Sequence, residues 1–288
     1  MHACAMRIAS SVATPMWRWS AHMTASGTTI LADGPTPVPR TSRLAARVFA
    51  SMSINSELTI VIPAKNEAQM IPHLLASLID QDYPNISNTK ILVADANSTD
   101  NTADVVMSFR DRLNVSVIAG GLPSVGRNAG AALADTGYIL FLDADVVLAS
   151  PTLIRRTVEL AQRKQLHCVT TNIICRDGKF LDKLLYTGNN MFQYLSRLHH
   201  PFSTGMFMLF DRERFHELRG FHEDVHFAED YLLSKQVARA KFAIVRGGVY
   251  TTNRRFQKMG HFRVARLFLR TALNHRDQEF FLRDHKYW

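Results

Sequence analysis

The sequence has little of what announces a simple identity. Its 288 residues include three cysteines, Cys4, Cys168 and Cys175. So few, so scattered, cannot build a disulfide framework or a zinc knuckle, and Cys168 and Cys175 sit in an apolar stretch that suits buried thiols in a reducing compartment. No apolar run approaches the roughly 20 residues that cross a bilayer. No Gly-x-Gly-x-x-Gly follows a strand pattern, which argues against a dinucleotide-dependent dehydrogenase. His222 and His226 lack a His-Glu-x-x-His context, which argues against a zinc protease. Disorder throughout is excluded as well, because 47% of the residues are hydrophobic and 20% charged.

Acids are scarce only at the ends. The formal net charge of +9 would by itself suggest a nucleic acid or an anionic surface as partner. Residues 1–56 carry five arginines against Asp33 alone, and residues 254–288 carry nine basic side chains against three acidic ones. Residues 57–253 hold 20 basic and 21 acidic residues. The body is therefore neutral, and a general nucleic-acid surface is not expected. Residues 1–56, rich in Ser, Ala, Thr and Pro and without a stable period, read as a disordered N-terminal extension.

From Leu58 onward short apolar runs alternate with helical patterns. Leu58–Ile62, Ile91–Ala94, Val115–Ile118 and Tyr138–Leu142 read as strands. Asn66 to about Leu78, Asp100 to about Phe109, a small-residue stretch through Leu133, and a segment from Ser150-Pro151 to about Lys164 read as helices. Tyr138–Leu142 is almost wholly apolar, as a central strand is. The alternation predicts an α/β fold with a mostly parallel twisted sheet and helices on both faces, so that a ligand sits at the carboxyl ends of the strands. Beyond residue 165, strands are expected near 167–174, 204–210 and 242–245, with a helix over 180–198. Residues 57–288 read as one domain, with a first lobe over about 57–164, a second over about 165–253, and a basic helical segment over 254–288.

Polar clusters follow three of those strands: Lys65-Asn66-Glu67, Asp95 and Asp143-Ala144-Asp145. Two carboxylates at i and i+2 off a strand end can face one Mg²⁺ or Mn²⁺, with water and phosphate oxygens completing the shell. A solvated turn is the alternative for Asp-x-Asp alone. Asp95 can accept the imide N–H of a uracil ring. Ser98, Thr99 and Asp100 suit a helix cap. Glu67 either reaches the same pocket or is an acid in a first helical turn.

In this order and spacing, Pro63-Ala-Lys-Asn-Glu67, Asp95-Ala-Asn-Ser-Thr-Asp100, Gly126-Arg-Asn-Ala-Gly130 and Phe141-Leu-Asp-Ala-Asp145 resemble the family-2 glycosyltransferases of GT-A fold. The likeness covers roughly residues 58 to 260. It implies a donor lobe and an acceptor lobe. Pro63, Ala64, Glu67 and Asp95 would hold base and ribose, Arg127 would lie near the nucleotide or diphosphate, and Asp143 and Asp145 would serve ribose and metal, Asp145 first. Ser203–Phe210 resembles the family's acceptor-side strand, and the stretch from Gly220 to Glu229-Asp230 its Gly-Phe segment ending in Glu-Asp. By that likeness Asp230 is the general base, with Glu229 orienting it or binding acceptor. The bare alternative is an acidic pair at a helix start.

The Gln-x-x-Arg-Trp motif of the family's membrane-embedded synthases is missing near Thr252–Phe256, so processive export is not expected. Arg254 or Arg255 is a candidate to close over the diphosphate, and His261 to complete a metal shell. From Gly260 an amphipathic pattern sets Arg263, Arg266 and Arg270 against Val264, Ala265, Phe268, Leu269 and Ala272, either docked on the body or touching a membrane surface. The resulting expectation is an inverting, Mn²⁺- or Mg²⁺-dependent, non-processive transferase, cytoplasmic or peripheral at the inner face of a membrane. It would take a nucleotide-diphosphate sugar, UDP-linked by preference, to a glycan, lipid or small-molecule acceptor. A sugar-phosphate nucleotidyltransferase is the alternative, although its Gly-rich loop after the first strand is missing. A non-catalytic binding module is another.

Overall fold

A computed structural model describes residues 57–288 except 226, 275–277 and 283–288. The expected N-terminal extension, 1–56, and His226 lie outside the described residues. In chain order the elements are β1 (Leu58–Ala64), α1 (Ile71–Ile79), β2 (Lys90–Asp95), α2 (Thr102–Met107), β3 (Val115–Ala119), α3 (Pro123–Ala132), β4 (Tyr138–Leu142), β5 (Val147–Leu148) and α4 (Leu153–Lys164). There follow β6 (Cys168–Cys175), α5 (Phe180–Ser196), β7 (Phe207–Asp211), α6 (Arg212–Glu217), α7 (Glu229–Ser234), β8 (Phe242–Thr251), α8 (Arg254–Met259), α9 (His261–Leu273) and α10 (Gln278–Leu282).

The strands form one eight-stranded sheet in the order β3-β2-β1-β4-β7-β6-β8-β5. The β3-β2-β1-β4 half is parallel throughout, as βαβ units require. β7 then runs antiparallel between β4 and β6, while β6 and β8 are parallel. The mostly parallel α/β sheet read from the sequence is the sheet observed.

Alternation of side chains across the pleat explains the apolar runs. Ile60 and Ile62 point into a large core with Ile71, Leu74 and Leu75 of α1, whereas Val61 points into a second core with Ala131 of α3 and Phe141, Phe215 and Phe221. Helices therefore cover both faces. α3 presses close because Gly130 has no side chain; a Cβ there would collide with Val61.

Several boundaries differ from the sequence reading, β8 running on to Thr251 for example, and two of them shape the site. β1 continues through Pro63 to Ala64. Ala64 directs its carbonyl toward Ala96, on the β2 side, so residue 63 faces β4, whose pairing with β1 ends at Val61. The missing proline N–H thus costs no ladder bond. The first helix begins at Ile71 rather than Asn66, because Asn66 takes a left-handed backbone (φ +55°) and the carbonyl of Glu67 accepts from Met70 and Ile71 in a turn.

Candidate active site

Because β1, β2 and β4 are parallel, their carboxyl ends open on one edge, and the loops that leave them are tied together. Asn66 donates its backbone N–H to Ser98 Oγ (2.9 Å), and its side-chain oxygen accepts from the Thr99 N–H (2.8 Å). Glu67 N–H donates to Thr102 Oγ1 (2.9 Å) and Ala68 N–H to Asp100 (3.1 Å), while the Ser98 N–H donates to Asp95 (3.1 Å). Asn66 and Asn97 both adopt φ near +55°, a conformation asparagine tolerates. Of the three expected caps only Asp100 bonds the start of α2, through the Thr102 N–H (3.0 Å); Ser98 and Thr99 brace one rim loop against the other instead.

Behind this rim lies a polar cleft of about 1200 Å³, whose walls include Pro63, Ala64, Glu67, Asp143, Asp145 and Arg254. The Arg254 guanidinium bridges Glu67 (2.8 and 2.9 Å) and Asp145 (3.1 Å). Partial burial pushes the Glu67 carboxyl above its ordinary range, against the opposing pull of Arg254. Arg255 neighbours Arg254 on α8, but its side chain lies outside the described set.

A second, apolar cavity of about 530 Å³ opens on the other side of Asp143, between α5, α9 and the loops before β7 and α7. Asp143 lines both spaces, and Arg127 stands behind it in the wall of the apolar one. Arg127 Nη2 lies 2.6 Å from Asp143 and its Nη1 2.7 Å from Glu229, with only 1% of the residue exposed. Burial opposes the guanidinium charge, yet Asp143, Glu229 and Asp230 together hold it above its ordinary value. Gly205 lies over this guanidinium so closely that a Cβ would strike it.

Asp230 sits at the cavity's polar end. Its carboxylate accepts the N–H of Gly205 (2.7 Å) and of Tyr231 (2.7 Å). Burial first, and then the charge of Glu229, push its carboxyl up to about 7, while Arg127 pulls the other way. A carboxyl at such a value can exchange a proton near neutral pH. Ala228, immediately before α7, holds φ +59°, a left-handed backbone that costs an alanine about 1–2 kcal/mol. That turn aims both acids of α7 inward. Asn128, next to Arg127, steadies the approach to α7 by accepting the N–H of Phe221 (2.9 Å) and donating to its carbonyl (2.8 Å).

The structure thus brings Pro63, Ala64, Glu67, Asp143 and Asp145 to one cleft, and Arg127, Glu229 and Asp230 to its neighbour. Asp95 sits at the cleft rim, committed to the turn at Ser98. His261 lies elsewhere: its Nε2 is 2.5 Å from Asp182, whose other oxygen accepts from the Lys179 N–H (2.7 Å) and from Asn253 (3.1 Å). Burial alone would raise Asp182; those hydrogen bonds hold it below the ordinary carboxylate range. Among the described residues, no three His, Cys, Asp or Glu side chains converge as a metal-binding cluster. Sequence reasoning missed Asp182, Gly205 and Asn128. A buried acid three residues into α5 was a weak signal, and the contact of Arg127 with Glu229, 102 residues apart, left none.

The fold is that of GT-A glycosyltransferase structures. The structure superposes with Staphylococcus aureus TarS 1–349 in complex with UDP-GlcNAc at a TM-score of 0.56 and 19% identity, over 68% of this chain and 58% of that one. It also superposes with the mannosyltransferase PcManGT from Pyrobaculum calidifontis in complex with GDP-Man and Mn²⁺, at 0.56 and 19%, over 79% and 72%. The chain belongs to glycosyl transferase family 2, whose profile matches residues 59–219. In sequence it is similar to the poly(ribitol-phosphate) β-N-acetylglucosaminyltransferase TarS of Staphylococcus aureus strain Mu50, 32% identical over 101 residues. Those residues are 34% of this chain and 18% of TarS, so the match spans about a fifth of that relative's length.

Proposed function

We propose that the protein is an inverting, metal-dependent, non-processive glycosyltransferase that moves a sugar from a nucleotide-diphosphate donor, UDP-linked by preference, to an acceptor hydroxyl. One observation carries this reading: Asp230, poised near neutrality, lies on the far side of Asp143 from a cleft in which Glu67 and Asp145 share the Arg254 guanidinium. In that cleft Pro63, Ala64 and Asp95 flank base and ribose, and Glu67 holds the rim.

The donor set suits a divalent ion. Glu67 and Asp145 already share one positive charge, the Arg254 guanidinium. Asp143 spends one oxygen on Arg127 and keeps the other. Two carboxylates, with diphosphate oxygens and water, make the mixed oxygen shell that Mg²⁺ and Mn²⁺ prefer. Asp145 and then Asp143 would hold the ion, which would neutralise charge on the departing diphosphate. His261 joins them only by leaving Asp182. Arg254 or Arg255 would close over the diphosphate.

On the acceptor side, Asp230 takes the hydroxyl proton while the acceptor oxygen bonds to C1 of the sugar. The bond from C1 to the diphosphate breaks, and its electron pair leaves with the nucleotide diphosphate. Attack opposite the leaving group inverts C1. Glu229, pinned by Arg127, positions Asp230 without taking the proton. Soluble donors and the basic face of α9 suit a protein at the cytoplasmic side, touching a membrane peripherally; no described helix is long and apolar enough to cross one.

Thermal melting with UDP-glucose, UDP-N-acetylglucosamine and GDP-mannose, with and without Mn²⁺, tests the donor reading. A rise in Tm for one donor that needs Mn²⁺ and disappears in Asp145→Asn is expected. No rise with any of the three would sink it.

A further inference from the structure

Helix α5 is turned inside out. Its polar side chains face the protein. Asn190 donates to the carbonyl of Ile173 (2.8 Å) and accepts its N–H (2.9 Å), and Gln193 donates to the carbonyl of Thr171 (2.9 Å). The sheet demands this, because β7 stops pairing with β6 at Thr170 and leaves the β6 edge beyond it to be satisfied by side chains. Nothing in that demand concerns the opposite face, where a helix of a water-facing surface carries polar residues. α5 and its C-terminal extension instead expose Met191 (59%), Leu195 (55%) and Leu198 (63%), in line with Leu181 and Leu184 at a helical spacing of three to four residues. Scattered exposed leucines need no explanation, whereas a continuous stripe does.

The stripe is continuous with the acceptor cavity. Leu184, Gly188 and Phe192 line the cavity from the same helix, and Phe192 packs on Phe202 (ring centroids 5.3 Å apart) inside it. Charge around the stripe is mainly positive, exposed Asp177 being outnumbered by its neighbours Arg176 and Lys179 and by the cations further along. Lys179, Lys183 and Arg197 are exposed on and beside α5, and Arg263, Arg266 and Arg270 are exposed on α9, which packs against it. An apolar helix face bordered by cations is complementary to the interface of an anionic bilayer. A free glycan would find few polar partners in a cavity walled by Phe202, Met206 and Phe227.

Resting on the transferase reading above, we infer that the acceptor is the hydroxyl-bearing head of a lipid, its apolar tail seated in the cavity beneath α5. The α5 stripe docks the protein on an anionic bilayer. The head reaches Asp230 from the membrane side while the soluble donor enters the polar cleft.

Co-sedimentation with vesicles tests this on the full chain. Wild type should pellet with phosphatidylcholine–phosphatidylglycerol vesicles and far less with phosphatidylcholine alone. Met191→Glu/Leu195→Glu, which touches neither cavity nor cleft, should lower vesicle partitioning about a hundredfold while keeping its melting temperature and its donor-dependent shift. In the same vesicles, a long-chain alcohol carrying a photoactivatable diazirine should label peptides spanning 180–206 and 227–231. Equal binding by the double variant, no vesicle binding by wild type, or labelling confined to other segments would overturn the inference. So would a wild-type dimer in light scattering that the double variant loses, since the stripe would then belong to a second copy. Failure of the vesicle arms with an intact donor-dependent shift removes only this inference; loss of the donor shift removes the transferase reading beneath it.

Discussion

The two spaces on either side of Asp143 are built by different means. The donor cleft is a rim of backbone turns, held by short-range polar chemistry: Asn66 to Ser98 and Thr99, Glu67 to Thr102, Ala68 to Asp100. The acceptor cavity is apolar, and its few charges are crowded into one buried knot of Arg127, Asp143, Glu229 and Asp230. A site made of turns tolerates loss of a single contact, while a buried ionic knot does not, since removing one member strands the rest in a dry environment. That contrast gives graded expectations.

The largest stability effect should separate two arginines. Arg127→Met leaves Asp143 and Glu229 uncompensated and should cost about 3–5 kcal/mol. Arg254→Met removes a half-exposed ion pair and should cost under about 1 kcal/mol. Urea unfolding of both variants measures the difference, and equal costs would erase the distinction between the two spaces.

A pH series tests the knot next. The Asp230 carboxyl titrates at about 7 in the fold, against 3.8 ordinarily. The folded protein thus binds that proton more tightly than the unfolded chain does. The stabilisation it lends is complete below the unfolded value and is lost as pH rises through about 7. Wild type should therefore lose stability relative to Asp230→Asn between pH about 4 and about 7. Donor turnover should rise through about pH 7 and level off about one unit above, as the carboxylate forms. A turnover profile flat from about pH 6 to about pH 8 would contradict Asp230 as the base.

The rim should respond more mildly than the knot. Asn66→Ala loses the side-chain brace to Thr99 and an asparagine suited to φ +55°, and should cost about 1–2 kcal/mol while raising the donor KM. An unchanged KM would show that the brace does not shape the donor cleft.

The same contrast governs what could be read from the chain before its fold was known. Donor-side residues lie within a few positions of strand ends, so apolar strands such as Tyr138–Leu142 locate Asp143 and Asp145 directly. The parallel sheet follows from the alternation of periods. The acceptor side is assembled from residues far apart in sequence. Arg127 meets Glu229 across 102 positions, and Gly205 matters because it lies over that guanidinium. Phe180–Ser196 reads plainly as a helix, but which face it buries depends on where β7 stops pairing with β6, a property of the sheet and not of the helix. Likewise His261 offers a ligand-like side chain, and only the fold shows it beside Asp182.

The most direct test is turnover against binding in Asp230→Asn. With the donor that stabilises wild type, in Mn²⁺, release of nucleotide diphosphate to water or acceptor should fall by about 10²–10⁴-fold while the donor-induced rise in Tm is preserved. Undiminished release, or loss of donor binding together with turnover, would contradict Asp230 as the group that takes the acceptor proton.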